Sequence, residues 1–296
     1  MRYTQLRAFH FVAQYGGFSR AAEKMFLTQP AVSEQIRRLE RDHDVLLFKR
    51  DHRRVQMTEA GQDLYVLTRQ MFEIEEQIEE MLSEARSSLD GTLRIVADSA
   101  FHIAEILRQF QATYPKVFVS IRSGNTAEII ESLRNYDAEI GIVGSLADTR
   151  DFQQIGLGST PIVAFAAKGV FPKSRKTISV QDLAGQPLVF REPGSTTRQK
   201  IEDAAQEEGV DLAPAIEAEG REAVREIVAA GIGVGFVSEA EFGHDDRIER
   251  YRLEGVTPSM TENVVCLQQR KDVRVIRTFM QLARETVGGA ADLAGP

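Results

Sequence analysis

Apolar positions recur three and four residues apart through residues 1–90, then give way to short strand-like runs separated by helical ones. Leu6, Phe9, Phe11, Val12 and Ala13 fall on a leading helix that Gly16-Gly17 stops. Ala21, Ala22 and Met25 mark a second helix, with Ser19 as its expected N-cap. Phe26-Leu27-Thr28 reads as a tight turn. Thr28 or Gln29 opens a third helix, with Pro30 in its first turn, where a missing N–H costs nothing. Ala31, Val32, Ile36 and Leu39 recur at helical spacing and predict its buried face, and Gln29, Ser33, Glu34, Arg37, Arg38 and Arg41 its outer one. A helix polar and basic outside and anchored inside suits a DNA major groove.

Leu46, Leu47 and Phe48 then read as a short strand and Val55, Gln56 and Met57 as its return. The tip between them, Lys49-Arg50-Asp51-His52-Arg53-Arg54, has the character of a basic wing for phosphates. Thr58 caps a long helix in which Leu64, Leu67, Met71, Ile74, Ile78 and Met81 form a heptad seam with acidic flanks. The narrow seam predicts pairing with a second copy of the chain, which would set two third helices side by side on an inverted repeat. A polar stretch at residues 86–91 ends the helix.

From Thr92 onward LRIVAD, VFVSIRS, AEIGIVGS, TPIVAFAAK, PLVFRE, AIEAEG, VGFVSE and NVVCLQQ read as strands alternating with helices, an α/β parallel-sheet pattern. Ligands in such sheets sit at the carboxyl ends of strands, near helix starts. The residues there are Ser99, Asn125, Thr126, Ser145, Gly194, Ser195, Thr196, Thr197, Arg198 and Arg221. Hydroxyls and free N–H groups at several helix starts can hold a small anion. Simple N-capping explains any single one of them, but three hydroxyls beside Arg198 exceed what one cap needs. Asp98, Glu192 or Glu219 could meet a ligand ammonium.

Charge sharpens the division. The chain of 296 residues carries −8, yet residues 1–57 hold eleven basic groups against six acidic ones, leaving +5 at the front and −13 behind. A basic module ahead of an acidic body is the footprint of a DNA reader with a second task. No run approaches a membrane span, the N-terminus lacks a signal-peptide pattern, and the single Cys266 supplies neither a disulfide nor a metal cluster, so a cytoplasmic protein without metal or cofactor is expected. No Ser-His-Asp order, metal-spaced His/Cys set or phosphate loop argues for an enzyme. A transport-type solute-binding protein is the alternative class, disfavoured by the basic helix-turn-helix.

Gly17, Ser19, Ala21-Ala22, Gln29-Pro30-Ala31-Val32-Ser33, Leu39-Glu40, Leu47-Phe48, Arg50 and Thr58-Glu59-Ala60-Gly61 together resemble the winged helix-turn-helix and linker helix of LysR-type transcriptional regulators. The rear resembles that family's two-lobed α/β effector domain, like type 2 periplasmic binding proteins. The resemblance implies three segments: a DNA-binding domain over 1–58, a dimerisation helix with its linker over 59–90, and an effector domain over 91–296. Lobe I would hold about 91–161 and 266–296, lobe II about 162–265. It implies a homodimer or homotetramer on promoter DNA, RNA polymerase as a further partner and a small anionic effector. By carry-over Gln29, Pro30 and Ser33 face bases and Arg37, Arg50 and Arg53 face phosphates, with Ser19, Thr28, Ala31 and Arg54 as further DNA-binding residues. Ser99, Thr126 and Ser195 to Thr197 fall where the family holds effector. Ala100-Phe101-His102 after Ser99 depart from its pattern, so His102 is a candidate to tune the pocket. The first forty residues further resemble regulators of 2-aminoethylphosphonate breakdown, with a carboxylate or amino-acid pathway as the alternative.

Overall fold

The computed structural model describes residues 1–51, 54–82, 89–146 and 150–293; for residues 50, 51, 54, 80, 81 and 289–293 it gives backbone alone. The chain divides into two compact units, Met1–Ser87 and Ser88–Pro296.

The first unit runs α1 (Tyr3–Tyr15), α2 (Phe18–Met25), α3 (Gln29–His43), the antiparallel hairpin β1 (Phe48–Asp51) and β2 (Arg54–Met57), and α4 (Glu59–Leu82). Leu6, Phe9 and Val12 meet Ala21, Ala22, Val32, Ile36 and Leu39 in one core closed by Leu47 and Phe48. The cap of α2 differs from expectation. Gly17 is the N-cap, and Ser19 lies inside the helix, exposed. Gly16 already turns the chain out of α1 at φ 65°, so α2 starts at once at Phe18, whose ring packs on Phe48 at 5.9 Å. Thr28 does cap α3, its Oγ1 accepting the Ala31 N–H at 3.4 Å. Leu46 stands outside the strand and is 71% exposed. Glu40 Oε1 accepts the N–H groups of Leu47 (2.9 Å) and Phe48 (3.3 Å), fastening the chain to α3 before the hairpin begins.

Thr58 caps α4 as expected, accepting the Gly61 N–H at 3.0 Å and donating to the Leu46 carbonyl at 2.6 Å. Gly61 is needed for contact: a Cβ there would stand 2.2 Å from the Leu47 carbonyl oxygen. The heptad seam divides. Leu64 and Met71 pack on the unit's own core, whereas Leu67, Ile74 and Ile78 are 60%, 56% and 48% exposed. The Met81 side chain lies outside the described residues. His10 is buried against α4, its Nδ1 3.2 Å from Thr68 Oγ1 and its ring 4.6 Å from Phe72.

The second unit contains β3 (Gly91–Ala97), α5 (Ala104–Thr113), β4 (Val117–Ser123), α6 (Thr126–Arg134), β5 (Ile140–Gly144), β6 (Phe152–Ala167), β7 (Thr177–Ser179) and α7 (Val180–Ala184). It continues with β8 (Val189–Arg191), α8 (Thr196–Glu207), β9 (Ile216–Ala218), α9 (Arg221–Ala229), β10 (Val234–Ser238), β11 (Ile248–Glu254), β12 (Ser259–Leu267) and α10 (Arg274–Leu293). The main sheet has the order β4-β3-β5-β12-β6-β11-β7, with β10 also on β6.

The parallel expectation holds for β4-β3-β5, for β11-β7 and for the separate pair β8-β9, but not for the strands that join them. β12 is antiparallel to β5 and β6, and β6 is antiparallel to β10 and β11. Period-two alternation encodes which side chains face inward, not strand direction. Two cores result. Leu93, Ile95, Phe110, Ile142 and Phe279 build one; Ala164, Phe190, Val234 and Tyr251 build the other. Strands β6 and β12 serve both, giving Ile155 and Val264 to the first and Ile162 and Met260 to the second. Where β12 passes between them its register shifts at Glu262/Asn263. Cys266 is fully buried in the first core, and burial pushes its thiol up to about 12, so it is an inert packing group.

Candidate functional sites

On the first unit, α3 presents Thr28, Gln29, Pro30, Arg37, Arg38 and Arg41 to solvent around the start and along one side of the helix. Ala31 is half-buried. Ser33 departs from its expected place and is 8% exposed. It precedes Ile36 by three residues, which brings the two together on a helix surface, so Ser33 is drawn toward the core. Arg38 donates to Glu34 at 2.7 Å. Arg50 and Arg54 belong to the hairpin, opposite Val55 and Asp51; Arg53 lies outside the described residues. A cationic helix face next to a basic hairpin can contact base edges and phosphates at once.

In the second unit two helix starts converge. Asn125 caps α6 by accepting the Glu128 N–H at 3.1 Å while Glu128 accepts the Asn125 N–H at 2.9 Å. For Asn125 capping is therefore the full explanation. Ser195 occupies the same position before α8 but makes no cap hydrogen bond. It is 3% exposed and its Oγ has no partner. Thr196 Oγ1 donates to Thr126 Oγ1 at 2.9 Å, joining the two starts. Gly194, at φ 90°, lets the chain pass Asn125: a Cβ would lie 3.1 Å from its Oδ1. A cleft of about 660 Å³ opens here, lined by Thr126, Ser145, Gly194, Ser195 and Thr196 among others. Two positive helix ends and several hydroxyls make an anion-binding surface. Ser145 also serves the sheet, accepting the Thr261 N–H at 3.1 Å, and Thr197 is buried behind the cleft.

The charged candidates do not join this cleft. Arg198 bonds Glu202 at 2.8 Å, Glu217 at 2.6 Å and the Arg191 carbonyl at 3.0 Å, and lies over the Phe190 ring, so it supports the lobe. Ala100 and Phe101 are exposed, and Ser99 Oγ accepts the Phe101 N–H at 3.2 Å. Arg221 pairs with Asp98 at 2.8 Å and with Glu241. Arg191 bonds Glu192 at 2.7 Å and Asp98 at 3.2 Å. Asp98 and Glu192 are thus engaged, and Glu219 is exposed. Burial alone would raise Glu192, but the Arg191 guanidinium and the Gly220 N–H hold it at about 2. His102 faces Glu241 at 2.9 Å and Glu262 at 3.8 Å. Arg191, Glu241 and Glu262 were not legible as site residues. The usable signal was Glu262, an acid inside the apolar strand run of MTENVVCL.

Residues 3–62 match the family described as bacterial regulatory helix-turn-helix protein, lysR family, and residues 86–288 match the LysR substrate binding domain. The HTH-type transcriptional activator CmpR of Synechocystis is 28% identical over 236 residues, covering 79% of this chain and 78% of the relative. The RuBisCO operon transcriptional regulator of Allochromatium vinosum is 29% identical over 236 residues, with coverage of 79% and 78%. Full-length OxyR from Pseudomonas aeruginosa shares the fold with a TM-score of 0.77 at 21% identity, covering 96% of this chain and 95% of that one. The regulatory domain of Synechocystis CcmR, solved in complex with 2-PG, gives 0.60 at 20% identity over 67% of this chain and 98% of that one. Among the described residues, no helix is long and apolar enough to cross a membrane.

Proposed function

The chain belongs to the LysR family of DNA-binding transcriptional regulators, and from that premise we propose that it answers to a small phosphoryl-, phosphonyl- or carboxylate-bearing anion held at the starts of α6 and α8. The single observation that carries this reading is Ser195. A buried hydroxyl at a cap position that neither caps nor finds a partner is a donor kept for a ligand. Thr126 and Thr196 supply further hydroxyls, and the two helix dipoles supply the positive field. The relatives named above are regulators, one of them of a RuBisCO operon, and a related regulatory domain holds 2-PG. These favour 2-PG as the first probe, with 2-aminoethylphosphonate as the alternative from the sequence resemblance. In this reading Gln29 and Pro30 meet base edges, and Arg37 and the wing arginines meet phosphates. Leu67, Ile74 and Ile78 pair with a second copy in a homodimer or homotetramer that works with RNA polymerase in the cytoplasm.

Calorimetric titration of 2-PG, 2-aminoethylphosphonate and a simple dicarboxylate into the full chain tests the cleft, followed by mobility shift on upstream DNA. Thr196→Val is expected to weaken the binding anion by roughly tenfold or more, since a hydrogen bond to a charged group contributes about 1.5–3 kcal/mol. The same variant should lose the anion-dependent change in DNA binding and keep affinity for DNA. An unchanged titration in both Thr196→Val and Ser195→Ala removes the helix starts from the site.

A further inference from the structure

A second cluster, independent of the effector reading, gathers titratable groups out of solvent where the strands cross between the two cores. Its members come from three places far apart in sequence. His102 sits in the short turn Phe101–Ile103 after β3, Glu241 in the turn Glu239–Glu241 after β10, and Glu262 on β12 at its register shift. Glu262 follows the alternation of buried Met260 and Val264 along β12, so its carboxylate faces inward, while the extra residue at the register shift, Leu157, lies on β6.

The side chains of His102, Glu241 and Glu262 are 12%, 5% and 3% exposed. One ligand atom from each lies within 4.8 Å of the others. His102 Nε2 is 2.9 Å from Glu241 Oε1 and 3.8 Å from Glu262 Oε1. Bond lengths of about 2.1 Å to a tetrahedral ion place ligand atoms roughly 3.4 Å apart, so small side-chain shifts bring the three atoms into coordination.

Glu262 is the decisive member. Both of its carboxylate oxygens are buried and neither has a hydrogen-bond partner. A buried carboxylate without a donor is costly unless a cation or a proton arrives. Arg191 and Arg221 are already bound to Asp98, Glu192 and Glu241. Four carboxylates (Asp98, Glu192, Glu241 and Glu262) stand against these two guanidiniums. Two carboxylates are thus left in excess of the guanidiniums.

We propose that His102, Glu241 and Glu262 form a binding site for one divalent first-row transition ion, with Zn²⁺ the best match to one imidazole and two carboxylates. Its charge balances the cluster. Three protein ligands leave a fourth position for water or another donor. In the empty site, burial and the neighbouring Glu241 push the Glu262 carboxyl up to about 7, so a proton is the competitor for the same place. The ion would tie a turn leading from the first core, a turn leading from the second, and a strand shared by both.

The test uses the full chain, stripped with EDTA and exchanged into metal-free buffer at pH 8. Zinc chloride titrated by calorimetry is expected to bind at one equivalent per chain and to raise the melting temperature. Cobalt chloride in its place is expected to give a visible absorption band. Glu262→Gln and His102→Gln should each weaken the zinc affinity by at least roughly tenfold, the scale on which even outer-shell changes register. Glu262→Gln removes an unpaired buried charge, so its apo form should melt no lower than the wild-type apo form, which separates a lost ligand from a lost fold. If one variant fails to fold, the other decides. Absence of stoichiometric uptake by the wild type, or uptake unchanged in either folded variant, overturns the site and leaves protons as the balancing charge.

Discussion

Arg37 and Arg41 stand in solvent on a helix whose inner face is Val32, Ile36 and Leu39, while Arg191 lies buried and Arg221 half-buried among Asp98, Glu192 and Glu241. The first pair costs the fold nothing and is available to an external polyanion. The second pair has given up hydration for fixed partners, and each guanidinium cancels carboxylates that burial would otherwise penalise. The same residue type is left free in solvent in one unit and serves as a structural counter-ion in the other. What separates them is burial, which local sequence does not display.

Three measurements sharpen or break that contrast. Arg191→Met should be the most damaging. It leaves Asp98 and Glu192 short of a partner in a buried setting, and removing one member of such a pair costs about 3–5 kcal/mol. Urea unfolding followed on the second unit should show the loss; a change below about 1 kcal/mol would mean the network is solvated and the contrast false.

The next effect is the pH response of the first unit, whose buried titratable group is a neutral histidine. Burial, with help from Arg69, lowers His10 to about 4 from an ordinary 6.5. Between those values the unfolded chain binds a proton that the folded chain refuses. The contribution is therefore complete above about pH 6.5 and is lost as pH falls toward 4, by at most on the order of 3 kcal/mol. His10→Gln should flatten that slope in melting curves of the first unit. A slope that persists would assign it to other groups.

The smallest effect on the fold should come from Arg37→Ala. Stability is expected to stay within about 0.5 kcal/mol, as for an ordinary surface change. DNA affinity should fall similarly on cognate and unrelated sequences, and the slope of binding against salt should drop by about 1 if Arg37 meets a phosphate. Equal salt slopes for the variant and the wild type would take Arg37 off the backbone.

The front unit was legible because each of its devices is local. Thr28 caps α3, Pro30 sits in the first turn, and Val32, Ile36 and Leu39 are spaced to be buried. Thr58 and Gly61 are explained by one carbonyl each, and both stood in the residues that carried the family resemblance. Errors there were local: the cap fell at Gly17, which leaves Ser19 inside α2, and Ser33 turned inward beside Ile36. In the rear unit the convergence of Thr126 with Thr196 followed from strand-end position. The fate of Arg198 did not, because Glu202 and Glu217 reach it from its own helix and from β9. Strand direction was lost for the same reason. Ile155 and Val264, or Ile162 and Met260, share a core only once β6 and β12 lie side by side.

The shared strands have a mechanical result. Because β6 and β12 run through both cores, the two halves are joined by two adjacent paired strands. The pairing of β12 with β6 is out of step at Glu262/Asn263, the place on this joint where a bulge favours a local increase of twist. In the proposed reading, an occupant of the cleft at Ser195 would act across these two strands.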